Sequence, residues 1–291
     1  MTRTDDSEVP DYQGKLRLDD RNLVLIGAGQ GIGRQAAHAL HQAGAQIFCV
    51  DLDEGLADDI AAEVDGIAWS GNATQRSDAE RLFSDAAKQM GRIDGIVDIV
   101  GMAQYANLVD VTDEQWDWHF DIVLRHAYLA MQLGGRAMAS TGGGAMAFVA
   151  SVSGLTSAPL HAAYGAAKAG LIGLVKSAAV ELGPLGVRVN AVAPGVVWTP
   201  RVSGYLGEEG RKTNAANAPL RRAARHSPGG GGVRAFGPAR RDPTPAVRSV
   251  RSWRQWLCRR SSCPNSASGR IRARRIGRIR PLGRRRGPPL G

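Results

Sequence analysis

Tyr164 and Lys168 stand four residues apart in an alanine- and glycine-rich run. On a helix that spacing puts both side chains on one face. A phenol is a poor acid near neutral pH, with a free pKa of about 10. A fixed ammonium beside it favours the phenolate, and a tyrosine tuned in this way can exchange a proton with an alcohol or ketone oxygen. The spacing alone is weak evidence, because any amphipathic helix can produce it. Ser151, 13 residues earlier, supplies a hydroxyl able to hold the same oxygen, although a serine in that position also reads as a helix or turn cap.

These residues need elements to position them. Asn22 to Ile26 reads as a short apolar strand that runs into Gly27, Gly29, Gln30, Gly31, Ile32 and Gly33, followed by a helix from Arg34 to Ala43. A strand, a glycine-rich turn and a helix N-terminus make a cradle for a pyrophosphate. No Gly-Lys-Ser/Thr follows, which argues against a nucleoside triphosphate loop. The next strand, Ala45 to Val50, ends in Asp51, 18 residues beyond Gly33. A carboxylate there can bind both ribose hydroxyls and repels a 2′-phosphate. Leu52 and Gln30 are uncharged, so the pattern favours NAD over NADP.

Gly66 to Ser70 reads as a third strand leading to Asn72 and Ala73, before a helix that begins near Ser77. Asn72 is a candidate for facing an adenine ring and equally for capping a turn. Ile93 to Val100 is a fourth strand, ending at Gly101. Asp113 to Ala139 reads as one long helix. Gly143 to Ala150 is a fifth strand, and Val187 to Val192 a sixth, which leads to Pro194, Gly195, Val196, Val197, Trp198, Thr199 and Pro200. Residues 201–214 read as a mobile loop, with a helix starting at Ala215. Strands alternating with helices predict an α/β fold: a doubly wound parallel sheet in a three-layer α/β/α arrangement.

Together these residues make the chain resemble a short-chain dehydrogenase/reductase of the single-domain Rossmann type. The resemblance spans about residues 20 to 224. It implies that Tyr164 is the general acid/base and that Lys168 binds the nicotinamide ribose and depresses the Tyr164 pKa. It further implies that Ser151 orients the substrate carbonyl and that Val197 and Thr199 hold the carboxamide. Three positions depart from the family pattern. Ile26 stands where Thr is usual, and Asp98-Ile99-Val100-Gly101 stands where Asn-Asn-Ala-Gly is usual. Val123 occupies the place of an Asn that anchors a relay water, and Val cannot hydrogen-bond. His119 and His126 share the Val123 helix face; one is a candidate to replace the relay, against a simpler reading as partly exposed or interface histidines. His161 reads as a residue of the substrate rim.

The formal net charge of +10 hides two compositions. From Arg225 to Gly291 there are 18 Arg, no Lys and one acid, Asp242, whereas residues 1–224 carry a net charge of −7. We therefore expect three regions: a polar extension over 1–19, an NAD-binding catalytic domain over 20–224, and a low-complexity tail over 225–291 without apolar periodicity. The tail reads first as the product of a shifted reading frame in a GC-rich gene, since Arg without Lys follows nucleotide composition. It reads next as a solvated segment, and last as a basic arm for nucleic acid. The family's closing helix and seventh strand are not visible in it. Cys49 reads as a buried thiol, and Cys258 and Cys263 form no metal pattern. No run is long and apolar enough to span a membrane, so a cytoplasmic protein is expected. The expected partners are an alcohol or ketone, mainly apolar, and further copies of the chain in a homodimer or homotetramer.

Overall fold

The computed structural model describes residues 11, 14–156 and 158–217. Six strands form one parallel sheet: β1 (Asn22–Ile26), β2 (Gln46–Asp51), β3 (Ile67–Ser70), β4 (Gly95–Asp98), β5 (Gly144–Val149) and β6 (Val187–Val192). Their spatial order is β3-β2-β1-β4-β5-β6. All six lie where the sequence places them. The order reverses between β1 and β4, so a crevice opens at the carboxyl ends of these strands.

Both faces of the sheet are buried, which explains why the strands are apolar runs and not alternating ones. Leu23 and Leu25 of β1 face one core cluster with Ile47 and Cys49. Helices α1 (Ile32–Gln42) and α2 (Glu54–Glu63) cover that side through Ala37, Leu40 and Ile60. Val24 and Ile26 face the opposite cluster with Phe48, Ile96 and Phe148. There α3 (Arg76–Met90) and α7 (Ala162–Leu182) contribute Leu82, Phe83, Leu171 and Val175. Each such aliphatic or aromatic side chain contributes about 1.5–3 kcal/mol when fully buried. Cys49 is buried as expected, and burial pushes its thiol up to about 12.

Four expectations change. The helix from Asp113 is not uniform. It runs as α4 (Asp113–Phe120), a wide π-type turn over Asp121–Arg125, α5 (His126–Leu129), a second π-type turn over Ala130–Gly134, and α6 (Gly135–Ser140). Residues 201–214 are not a loop: α8 spans Pro200–Asn217, kinked where Gly207 leaves helical geometry. Thr199 starts it, its Oγ1 accepting from Val202 N–H at 3.3 Å, and proline suits the first helical position. The core also reaches back to Leu18, two residues ahead of the expected boundary; it is buried, and its N–H donates to Ala43 O at 2.7 Å. Finally, β4 is shorter than the apolar run from Ile93 to Val100. The Asp98 carboxylate accepts from Val100 N–H at 3.1 Å and turns the chain off the sheet.

The expected tail, with Cys258 and Cys263, lies outside the described residues. Among the described residues, no helix is long and apolar enough to cross a membrane, and no cluster of side chains could hold a metal ion.

Candidate active site

Ser151 lies two residues beyond β5, and its Oγ accepts from Ser153 N–H at 3.1 Å, which folds the following residues into a short turn, Val152–Gly154. Gly154 lies so close to α7 that a Cβ there would stand 2.7 Å from the Lys168 carbonyl carbon. That approach seats the turn on α7 and brings the Ser151 hydroxyl to where it acts on Tyr164. Ser151 is therefore set against the Tyr164 helix by a backbone contact between a turn and that helix.

Burial pushes the Tyr164 pKa above its ordinary value; the Ser151 hydrogen bond works the other way, and Tyr105 adds to the rise. Lys168 does not counter it. Its Nζ is 5.8 Å from the centre of the Tyr164 ring and donates to Val149 O at 2.7 Å. Burial pulls the ammonium down to about 8, with the Asp98 carboxylate opposing the fall. The expected depression of Tyr164 by Lys168 is thus not what this arrangement does: desolvation outweighs a cation turned toward a main-chain carbonyl. Gly101 runs past the same ammonium, and a Cβ there would stand 2.7 Å from Nζ.

The two helix histidines are not exposed. His119 and His126 are 1% and 2% accessible, and Val123 between them is fully buried in the first π-type turn. His119 Nδ1 lies 2.6 Å from Gln115 O and its Nε2 accepts from Gln104 N–H at 3.0 Å, so the proton sits on Nδ1. Its ring meets Tyr164 edge-on at 6.3 Å. His126 Nε2 pairs with Asp98 Oδ1 at 2.9 Å, both side chains 1% accessible. The sequence showed Asp98 as a departure from a motif and His126 as a neighbour of Val123, but gave no sign that they meet. The rim around Tyr164 is aromatic: His161 lies 6.0 Å from it, and Tyr105 is 4.8 Å from both His161 and Tyr205 of α8. Neither Tyr105 nor Tyr205 belongs to a motif in the sequence.

The glycine-turn end of the crevice is built mostly from backbone. Gly27 and Ala28 donate to Val50 O at 2.8 and 2.9 Å, tying the turn to β2. A Cβ on Gly33 would lie 1.8 Å from Gly27 O, so no side chain fits inside the turn. No side chain caps α1 at Gly31, which leaves a helix N-terminus suited to an anion. Gln30 is exposed and Ile32 half-buried beside it. Asp51 Oδ2 accepts from Gly29 N–H at 3.0 Å, so the carboxylate at the end of β2 is also part of the loop. Asn72 takes the turn-capping role: its Oδ1 accepts from Thr74 N–H at 3.0 Å and Thr74 Oγ1 at 2.8 Å. Ala73 follows, half-buried. Pro194 O accepts from Val152 N–H at 3.0 Å, joining the β6 segment to the Ser151 turn. Beyond the exposed Gly195 and half-buried Val197, the Thr199 methyl group lies over Gly31. These residues border one crevice at the carboxyl ends of the strands, and a cradle without side chains beside a carboxylate fits a dinucleotide.

A family model described as Enoyl-(Acyl carrier protein) reductase matches residues 27–232. The 3-oxoacyl-[acyl-carrier-protein] reductase of Thermotoga maritima is 31% identical over 212 residues, covering 71% of this chain and 86% of the relative. The D-threitol dehydrogenase of Mycolicibacterium smegmatis is 37% identical over 189 residues, covering 63% and 73%. A solved 7 alpha-hydroxysteroid dehydrogenase, complexed with NADH and 7-oxo glycochenodeoxycholic acid, superposes with a TM-score of 0.69 at 24% identity, over 73% of this chain and 85% of that one; at that identity the match speaks for the fold alone. The strand order, the glycine turn and these matches together make the chain a member of the short-chain dehydrogenase/reductase family of Rossmann-type oxidoreductases.

Proposed function

We propose that the protein is an NAD-dependent oxidoreductase that interconverts a secondary alcohol and a ketone, with Tyr164 as general acid/base. The observation that carries this is a half-buried Tyr164 whose pKa the Ser151 hydroxyl lowers, one helical turn from a buried Lys168. The bound nicotinamide supplies or takes up the hydride. Ser151 holds the substrate oxygen and Tyr164 gives it, or takes from it, the proton. Lys168 binds the nicotinamide ribose hydroxyls and favours the phenolate once its ammonium faces them. Gly27, Gly29, Gln30, Gly31, Ile32 and Gly33 hold the pyrophosphate through N–H groups. Asp51 binds the adenosine ribose and repels a 2′-phosphate, which supports NAD over NADP. Asn72 and Ala73 border the adenine, and Gly101 the neighbouring ribose. Pro194, Gly195, Val197 and Thr199 hold the carboxamide; the Thr199 oxygen accepts from Val202 N–H, leaving the hydroxyl proton free to donate. The aromatic rim of Tyr105, His161 and Tyr205 supports a mainly apolar substrate, and a homodimer or homotetramer in the cytoplasm is the reading in line with the family. Tyr164→Phe is the test: turnover equal to the parent's, across a panel of ketones with NADH, would sink the assignment.

A second reading rests on Val123. A fully buried valine where the family places a relay amide supports a weak or inactive NAD-binding protein. It predicts that NADH binds, by fluorescence, with no turnover of any carbonyl in the panel.

A further inference from the structure

Asp98 is a charged group where the family pattern has an amide, and it is buried. Its register partners are Ile26 on β1 and Phe148 on β5, both on the α7 side of the sheet, so its carboxylate points to that side too. Lys168 reaches the same place from α7, because its Nζ bonds the carbonyl of Val149, the residue after Phe148. From α5, His126 meets Asp98 Oδ1 at 2.9 Å. Asp98 Oδ2 and His126 Nδ1 are buried without a hydrogen-bond partner among the described residues. A buried carboxylate in this setting is costly unless it serves a cation.

We propose that Asp98 is a positioning residue for Lys168: braced by His126, its carboxylate holds the buried ammonium in its charged form beside Tyr164. The electrostatics agree, since Asp98 is the group that opposes the burial-driven fall of the Lys168 pKa. The ionisable groups facing this place are Asp98 from β4, His126 from α5, and Tyr164 on α7 itself; His119 of α4 faces Tyr164. The consequence for turnover rests on the proposed role of Lys168, but the coupling of the two charges does not.

The test is a pH titration of the full-chain protein by NMR, with lysine labelled at the ε-carbon. The sequence holds five lysines, so the Lys168 signal can be assigned by single substitutions. The parent midpoint is expected at about 8. Asp98→Asn keeps the shape and removes the charge, and it should lower the midpoint by about 1 pH unit or more. Asp94→Asn, at the other end of β4 and also buried, should leave it unchanged. An unchanged midpoint in Asp98→Asn, or an equal fall in Asp94→Asn, overturns the proposal. Should Asp98→Asn fail to fold, the parent alone decides: the Asp98 carboxyl carbon must show an inflection at the Lys168 midpoint, and its absence overturns the assignment. None of these readouts needs turnover. An active Tyr164→Phe would therefore refute the functional reading and leave this one standing.

Discussion

The two ends of the crevice are made differently. The end that we propose to hold the nucleotide is backbone: N–H groups, glycines that admit no side chain, and one carboxylate woven into the loop. The end that we propose to be the reacting one is side chain: Ser151, Tyr164, Lys168, Asp98, His119 and His126, most of them buried and several paired. A backbone site tolerates little change at its glycines and follows a short motif. A side-chain site can exchange partners, and here the exchange of an amide for a carboxylate is accompanied by a histidine that meets it. The first kind of construction is visible in a sequence, and the second only once the chain is folded.

The largest effect expected at the reacting end is from Tyr164→Phe, which should lower kcat/KM by about 10²–10⁴-fold, the range for losing a general acid/base. Steady-state kinetics with NADH and a ketone check it. Lys168 gives the next effect, on stability. Its pKa falls from 10.5 to about 8 on folding, so between those values the unfolded chain binds more protons and stability rises with pH. Below about 8 both states hold the proton, and above 10.5 neither does. Urea denaturation should show a gain of up to roughly 3 kcal/mol across that window, and Lys168→Met should lack it. At the nucleotide end, Gly33→Ala places a methyl against Gly27 O and should destabilise the protein by about 1–3 kcal/mol, seen as a lower urea midpoint together with weaker NADH fluorescence titration. A fully stable, cofactor-binding Gly33→Ala would end the contrast between the two ends. The smallest effect is expected at Val123→Asn. A buried amide should cost about 1–3 kcal/mol of stability while kcat stays within about threefold. A tenfold or larger gain in kcat would instead favour the reading of a weakened enzyme.

The sheet was legible because each strand is an apolar run bounded by glycine or charge, and so was the glycine loop, where only one residue type fits. Tyr164, Lys168 and Ser151 were legible as spacings. What escaped lay in long-range pairings. Nothing in the sequence around Asp98 or His126 points from one to the other, 28 residues away. The π-type turns at Asp121–Arg125 and Ala130–Gly134 sit inside an apolar pattern that fits an ordinary helix equally well. Helix α8 is hard to read because Gly204, Gly207 and Gly210 break the helical pattern that the start signal Thr199-Pro200 opens.

The bond from Gly29 N–H to Asp51 has a consequence for altering coenzyme preference. On the proposed reading, the carboxylate that discriminates against a 2′-phosphate also pins the turn that grips the diphosphate. Replacing Asp51 by a neutral or basic residue to admit NADP removes an acceptor from the turn as well as a repulsion from the ligand. Selectivity and grip would change together, and a successful redesign has to supply Gly29 with a new acceptor as it opens room for the phosphate.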